Sequence, residues 1–203
     1  IQKVNYKPFI SVNLDKKFYN KNDSLCFYLW DPNGDKVKVC LEYYYSINSK
    51  WEKVKDKVVD TKSTNINQPD FSTEVSLELY NLPLQGKIKL RVSADDSLSN
   101  PENYFVQQQI FEIFIDNVLP SIKKYEIVKN KDETITIKVE VEDESFTEVF
   151  LKVDEQFLPM KLIQTQNKFL KYELKVKAQN LGDIYIVAKD LAGNKSQKEI
   201  VIK

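Results

Sequence analysis

Hydrophobic and polar residues alternate along most of the chain, in short segments rich in Val, Ile, Tyr and Phe. A period of two places successive side chains on opposite faces of a β-strand. The clearest segment is 134–142, which has four aliphatic residues on one face: Ile135, Ile137, Val139 and Val141. The same pattern recurs at 35–42, 73–80, 86–94, 172–177 and 184–188. Because no long stretch has a helical period, the pattern predicts an all-β protein.

Turn residues separate these segments. In Asp31-Pro32-Asn33-Gly34, the proline presets φ and the Asn-Gly pair tolerates positive φ, so this tetrapeptide predicts a tight turn. Segment 161–172 fits two structures, a short helix or a pair of strands around Asn167. Further breaks are predicted at Leu82-Pro83, Ser99-Asn100-Pro101 and Ala192-Gly193-Asn194.

One strand–turn–strand plan occurs twice. Segment 25–41 matches segment 137–153 at an offset of 112 residues. Ala94-x-Asp96-x-x-x-Asn100 also matches Ala188-x-Asp190-x-x-x-Asn194, at an offset of 94. Two copies of one plan predict two similar modules. The proline-containing stretch 116–120 lies between them, so we expect domains at 1–117 and 118–203, each a sandwich of about seven strands.

Composition narrows the functional classes. Lys and Arg together number 30, as do Asp and Glu, so the net charge is zero and a broad nucleic-acid surface is not expected. No apolar run approaches the ~20 residues of a membrane-spanning helix, so membrane insertion is not expected either. The chain starts at Ile1 and shows no signal peptide, which suggests a fragment or a processed product.

Two absences weaken the case for an enzyme. The chain has no histidine, which excludes a Ser-His-Asp triad and the usual zinc ligands. The only glycines are Gly34, Gly86, Gly182 and Gly193, which cannot form a phosphate-binding loop. A pair of carboxylates sharing a cleft stays open, but no two acids stand out in apolar surroundings. We therefore expect a non-catalytic chain without a cofactor, with calcium as the one exception considered below.

Several motifs resemble the fibronectin type III and immunoglobulin-like modules of secreted bacterial and archaeal multidomain proteins. In the first module they are Trp30-Asp31-Pro32-Asn33-Gly34-Asp35, Tyr45-Ser46, Trp51, Leu82-Pro83, Gly86 and Leu90-Arg91-Val92-x-Ala94-x-Asp96. Ile115-Asp116-Asn117-x-x-Pro120 looks like an inter-module junction of that family, and Val187-Ala188-Lys189-Asp190-x-Ala192-Gly193-Asn194 looks like a closing hairpin. One departure is 46–49, which lacks the family's Asp-Gly-Gly turn.

The resemblance implies two tandem immunoglobulin-like β-sandwich domains that act as spacers or docking surfaces of a larger exported or cell-surface protein. Such modules also accompany secreted hydrolases. The expected partners are other domains of the same polypeptide, or a protein or glycan surface. Fold alone does not establish function, so three classes stay open: structural or interaction module, carbohydrate-binding module and enzyme.

Acidic loops suggest a calcium site. Asp31, Asn33 and Asp35 follow one strand, and Asp96 follows another whose loop lies at the same end of such a sandwich. Oxygen ligands that converge from two loops suit Ca²⁺. The alternative is that these side chains accept hydrogen bonds within their own turns. The repeat of Asp96 and Asn100 as Asp190 and Asn194 favours the turn role, and the second module offers a poorer set in Asp143, Glu144 and Asp190.

Aromatic residues suggest a sugar-binding strip. Tyr43, Tyr44 and Tyr45 are consecutive, so Tyr44 faces away from its two neighbours. With Trp51 on the next strand, Tyr44 could form a platform on which sugar rings stack. The alternative is ordinary cross-strand aromatic packing.

The two cysteines do not favour a disulfide. Cys26 and Cys40 lie on successive strands that belong to opposite sheets of a sandwich, about 10 Å apart. Bridged Cα atoms lie at about 4.4–6.8 Å. Since Val37, Val39 and Leu41 are expected to face inward, Cys40 faces outward. Free thiols are therefore expected, although the face of Cys26 stays open.

Overall fold

The structure, a computed structural model, describes residues 4–45, 49–80, 82, 85–178 and 183–202. Within those ranges the chain forms sixteen β-strands and no helix, as the alternation predicts. The chain divides into two compact units, Ile1–Asp116 (unit 1) and Asn117–Lys203 (unit 2). This division falls one residue before the predicted domain boundary.

Unit 1 contains two sheets. Its strands are β1 (Phe9–Asn13), β2 (Phe18–Tyr19), β3 (Ser24–Trp30), β4 (Lys36–Tyr45), β5 (Lys50–Asp60), β6 (Thr73–Glu78), β7 (Gly86–Asp95) and β8 (Val106–Ile115). One sheet has the order β1-β3-β6 and the other β2-β8-β7-β4-β5. The short β2 runs parallel to β8, and the other pairings are antiparallel.

The core of unit 1 lies between these sheets. Alternate residues of the central strands point inward from both sides, so each sheet covers the apolar face of the other. Fully buried examples are Leu25, Phe27, Leu29, Val37, Val39, Leu41, Leu90 and Val92. The intervening side chains face outward, as a period of two requires.

Two glutamines join the sheets at one edge of unit 1. Gln107 and Gln109 lie on β8, and their Oε1 atoms accept hydrogen bonds from the backbone N–H groups of Ile10 and Val12 on β1, at 2.8 and 3.2 Å. Side-chain oxygens therefore satisfy donors that edge strand β1 would otherwise leave unpaired.

Unit 2 repeats the two-sheet plan. Its strands are β9 (Ser121–Lys129), β10 (Thr134–Glu142), β11 (Thr147–Val153), β12 (Gln156–Pro159), β13 (Lys161–Gln166), β14 (Phe169–Lys177), β15 (Ile184–Asp190) and β16 (Lys195–Ile200). The sheet orders are β13-β14-β10-β9 and β12-β11-β15-β16, all antiparallel. Both sheets contribute to a second core, which includes Ile135, Ile137, Val139, Val141, Leu151, Tyr172 and Ile186.

The turn predictions have clear outcomes where the chain is described. Gly34 takes φ +73°, and Asp31 O accepts the hydrogen bond from Gly34 N at 3.1 Å, which closes the predicted turn. Segment 161–172 is a strand pair, with Asn167 at φ +53°, and not a helix. The predicted break at Pro83 and the departure at 46–48 lie outside the described residues.

Both cysteines are free thiols. Cys26 alternates with the buried Leu25 and Phe27 on β3, and Cys40 alternates with Val39 and Leu41 on β4. Each cysteine thus lies on the outer side of its own sheet, so the core separates the two sulfurs. In the described part of the chain, no helix is long and apolar enough to cross a membrane.

Candidate functional site

Three aspartates converge at one end of unit 1. Asp31 follows β3, Asp35 precedes β4 and Asp96 follows β7, and one carboxylate oxygen of each lies within 4.8 Å of the other two. Asp31 and Asp96 are completely buried. The structure therefore brings together three of the four predicted calcium ligands, and we refer to Asp31, Asp35 and Asp96 as the acidic loop end.

Asp31 uses one of its two oxygens in the turn that it begins. Its Oδ1 accepts hydrogen bonds from Asn33 N at 2.8 Å and, at a long 3.5 Å, from Asp35 N. This is the turn role that its residue type favours. Its Oδ2 is buried and has no hydrogen-bond partner among the described residues.

Asp96 organises the loop between β7 and β8. Its Oδ1 accepts a hydrogen bond from Phe105 N at 2.6 Å, across nine residues of chain. Its Oδ2 accepts bonds from Asn5 Nδ2 at 2.8 Å and from Asn100 Nδ2 at 3.3 Å. Asn100 Nδ2 also donates to Asp35 Oδ2 at 2.8 Å, so one amide joins two of the three carboxylates.

Asn33, the fourth predicted ligand, bonds the N-terminal segment. Its Oδ1 accepts a hydrogen bond from Tyr6 N at 2.7 Å, and its Nδ2 donates to Val4 O at 2.9 Å. These two bonds pin residues 4–6 beside the acidic loop end. Asn33 thus helps to place Asn5, whose side chain reaches Asp96.

Asn5 belongs to the site, although no sequence pattern pointed to it. It precedes the first strand, and 91 positions separate it from Asp96. Its Nδ2 also donates to Asn103 O at 2.6 Å, while its Oδ1 is buried and has no hydrogen-bond partner among the described residues. Unit 1 therefore has two such oxygens in one neighbourhood, Asn5 Oδ1 and Asp31 Oδ2.

The electrostatics of this end are unfavourable for a negative charge. Burial raises the pKa of Asp31, and the nearby Asp35 and Asp96 charges raise it further, while the bond from Asn33 N acts in the opposite direction. Within the described ranges, no lysine or arginine forms an ion pair with Asp31 or Asp96.

The connection between β5 and β6 forms hydrogen bonds to the turn that begins at Asp31. Thr64 N donates to Pro32 O at 3.1 Å, and the hydroxyl of Thr61 donates to Asp35 O at 2.8 Å. Trp30 stacks on Phe9 with ring centroids 5.0 Å apart, and its indole N–H donates to Thr64 Oγ1. The buried Trp30 directly precedes Asp31 and therefore bonds the same connection as the turn.

Unit 2 has a related loop end. Asp143 follows β10, and one oxygen of Asp143 lies within 4.8 Å of one from Asp190, which ends β15. Asp143 accepts bonds from Ser145 N and Ser145 Oγ, both at 3.3 Å, and a short one from the hydroxyl of Thr147. Asp190 accepts bonds from Asn194 N and Nδ2, both at 2.8 Å. Both oxygens of each aspartate therefore have partners.

The predicted aromatic residues meet on the outer face of unit 1. Tyr44 and Trp51 are cross-strand partners on β4 and β5, with centroids 5.5 Å apart and planes at 65°. The guanidinium of Arg91 lies 4.5 Å from the centroid of the Trp51 ring and bonds Glu42. The pair is tilted and not flat, while Tyr43 points inward and donates to Glu52 at 2.6 Å.

No protein-family model and no curated protein match the chain. Among solved structures, the chain is similar to red sea bream transglutaminase, with 8% identity and a TM-score of 0.33 over 98% of this chain and 31% of that one. It is also similar to SGBP-B of the Bacteroides ovatus mixed-linkage glucan utilization locus, solved with a mixed-linkage heptasaccharide, with 14% identity and a TM-score of 0.33 over 98% and 48%.

The chain spans about a third to a half of those two chains. Likeness at these identities and TM-scores carries no functional argument. The architecture stands on the chain's own geometry, which is that of an all-β protein with paired sheets around apolar cores.

Proposed function

We propose that the chain is a pair of tandem immunoglobulin-like modules, the first similar to fibronectin type III, that serve as non-catalytic spacer or docking parts of a larger exported or cell-surface protein. The observation that carries this proposal is that each unit closes a hydrophobic core of its own between two sheets. A unit with its own core can fold without its neighbours, which a spacer requires. Export rests on the resemblance of the sequence motifs alone.

Backbone hydrogen bonds join the N-terminal and C-terminal ends of unit 1 in an arrangement suited to resisting a pulling force. β2 lies near the N-terminal end and β8 at the C-terminal end, and the two strands run parallel. Phe114 N donates to Lys17 O at 3.2 Å, and Asp116 N donates to Tyr19 O at 2.8 Å. Pulling the two ends apart loads both bonds in shear, so they must break together.

Unit 2 lacks this arrangement among its described residues. Its first strand, β9, pairs with β10, and its last strand, β16, pairs with β15 in the other sheet. Within the part of unit 2 that the structure describes, no hydrogen-bonded pairing joins the first and last strands. We therefore expect unit 1 to resist a pulling force better than unit 2.

Single-molecule stretching of the full chain between flexible handles tests the proposal. We expect two separate unfolding events, with length gains approaching about 400 Å for unit 1 and about 300 Å for unit 2. The event with the larger gain should need the larger force. A single event, or gradual extension without distinct events, would contradict independent modules.

A matched pair of substitutions assigns the force to the parallel pairing. Phe114→Pro removes the N–H that bonds Lys17 O and should lower the force of the unit 1 event. Glu112 is two residues earlier on β8, so its N–H lies on the same edge, where β2 does not reach. Glu112→Pro should therefore leave the force nearer to that of the wild type.

Carbohydrate binding is the second candidate, favoured by the Tyr44–Trp51 pair beside Arg91 and Glu42. Aromatic faces and charged hydrogen-bonding groups are the elements from which sugar sites are built. Arg91 covers one face of Trp51, which limits stacking on that side. Calorimetric titration with a panel of soluble oligosaccharides tests this candidate. Binding that Trp51→Ala removes and the control Tyr80→Ala retains would support it, and no heat with any sugar would reject it.

A further inference from the structure

We infer that the acidic loop end of unit 1 binds one calcium ion, with Asp31, Asp35 and Asp96 as its protein carboxylate ligands. The oxygens of two residues that hold one Ca²⁺ can be no farther apart than twice the ion–oxygen distance, about 4.6–5.2 Å. One oxygen from each aspartate meets this limit against both others, since all three lie within 4.8 Å.

Two buried oxygens without hydrogen-bond partners give an independent reason to expect a ligand. Asp31 is completely buried, and its Oδ2 accepts no hydrogen bond from a described residue. Burying such an oxygen without a partner is destabilising, and more so if the oxygen is charged. The turn needs only Oδ1, so turn chemistry does not explain why Oδ2 is buried.

Asn5 adds a neutral oxygen to the same neighbourhood. Its amide nitrogen donates to Asp96 Oδ2 at 2.8 Å and to Asn103 O, which fixes the orientation of the side chain. The remaining Oδ1 is buried and has no partner in the described part of the chain. Amide oxygens are ordinary calcium ligands, and water molecules can complete the six to eight positions.

The two buried carboxylates of this end, Asp31 and Asp96, have no cationic partner among the described residues. The carboxylate of Asp35 lies together with them. The bonds that Asp31 and Asp96 do accept come from backbone N–H groups and from the amides of Asn5 and Asn100, which carry no net charge. A divalent cation would supply the missing positive charge.

Calcium fits this set better than magnesium. Mg²⁺ demands near-ideal octahedral geometry at about 2.0–2.1 Å and tends to keep several of its waters. Carboxylates that converge from two separate loops suit the longer and more variable coordination distances of Ca²⁺.

Calorimetric titration of the full chain with CaCl₂ at pH 8, in metal-free buffer, tests the inference directly. We expect wild-type protein to bind calcium and Asp35→Thr to lose that binding. We also expect calcium to raise the midpoint of the thermal transition seen by tryptophan fluorescence by several degrees. Both tryptophans, Trp30 and Trp51, belong to unit 1, so this signal reports the unit that holds the site.

The control is Asp70→Asn, which neutralises a partly exposed aspartate of the same unit that bonds Ser72 N. It should bind calcium as the wild type does. Three outcomes would overturn the inference: no calcium binding by the wild type, equal binding by Asp35→Thr, or an equal response to MgCl₂. Circular dichroism of Asp35→Thr verifies that this variant is folded, and Asp31→Asn provides a second substitution at the site with the same expected loss.

Discussion

The loop ends of units 1 and 2 each hold a buried aspartate, but with different hydrogen-bond partners. Each has an aspartate directly after a core strand, Asp31 or Asp143, and another at the end of a second core strand, Asp96 or Asp190. In both units an asparagine four residues later bonds the second aspartate. Thr147 of unit 2 corresponds to Asp35 of unit 1, which lies 112 positions earlier in the repeat.

The difference at this position changes which groups donate hydrogen bonds to the first aspartate. The hydroxyl of Thr147 donates to Asp143, so unit 2 stabilises its buried carboxylate with a proton from its own chain. Asp35 has no side-chain proton to donate when it is ionised, and Asp31 Oδ2 has no hydrogen-bond partner among the described residues. The hydroxyl of Thr147 therefore satisfies Asp143 from within unit 2, whereas an ionised carboxylate at the matching position of unit 1 cannot donate to Asp31.

The largest effect is expected from giving unit 2 the chemistry of unit 1. Thr147→Asp places a new carboxylate against Asp143 at a completely buried position. An uncompensated buried charge costs about 3 kcal/mol or more in the free energy of unfolding. Urea unfolding in chelator, followed by far-UV circular dichroism, measures the loss. Thr147→Asn has nearly the same size without the charge, and an equal loss in that control would contradict the electrostatic explanation.

A smaller loss is expected when only the hydroxyl is removed. Thr147→Val keeps the shape of the side chain but leaves Asp143 without one of its donors, which should cost unit 2 about 1–3 kcal/mol. The same urea experiment measures it. Thr165→Val, on the exposed face of β13, is the control and should change stability little. If both variants unfold alike, the hydroxyl is not what stabilises Asp143.

The reverse exchange should stabilise unit 1. In chelator, Asp35→Thr removes one of three clustered charges and offers a hydroxyl to Asp31, so the free energy of unfolding should rise by about 1 kcal/mol. Tryptophan fluorescence during urea unfolding measures the gain. Asp35→Ala removes the charge without adding a donor and should gain less. A loss of stability in Asp35→Thr would show that the two loop ends are not equivalent.

The smallest effect concerns an aspartate with ordinary surface partners. The hydrogen bonds from Lys175 and Thr134 lower the pKa of Asp132 to about 2, from an ordinary value of 3.8. A lowered folded-state pKa contributes stability above the unfolded-state pKa, and this is lost as pH falls from about 4 to about 2. Asp132→Asn should slightly flatten the pH dependence of urea unfolding in that window. Identical pH profiles for variant and wild type would argue against this pairing, and the variant leaves both loop ends intact.

Alternation predicted the strands because most of them bury one face. The predicted segment 134–142 is β10 residue for residue, and Ile135, Ile137, Val139 and Val141 are all buried as expected. The weakest signal came from β5, in which only Val54 is buried, so lysines and acids interrupt its pattern. An edge strand exposed on most of its length need not alternate, which is why pattern alone could not delimit it.

The site was only partly foreseeable. Asp31, Asp35 and Asp96 could be chosen because turns after neighbouring core strands meet at one end of a sandwich. Asn5 could not, because its contact with Asp96 depends on Asn33 holding the N-terminal segment in place. The difference between Asp35 and Thr147 was present in the repeat, but its meaning depends on which oxygens are left unpaired, and only atomic positions show that.

Gly34 limits how the sequence of this turn can vary. A Cβ at position 34 would clash with the backbone nitrogen and Cα of Ser63, and the residue also has φ +73°. The obstacle is backbone, so no change of rotamer relieves it. Any other residue must displace either the turn or the segment around Ser63. Displacing the turn would also move Asp31 and Asp35. In a saturation library selected for calcium-dependent stability, position 34 should keep glycine alone, while its solvent-exposed neighbour Lys36 accepts many residues.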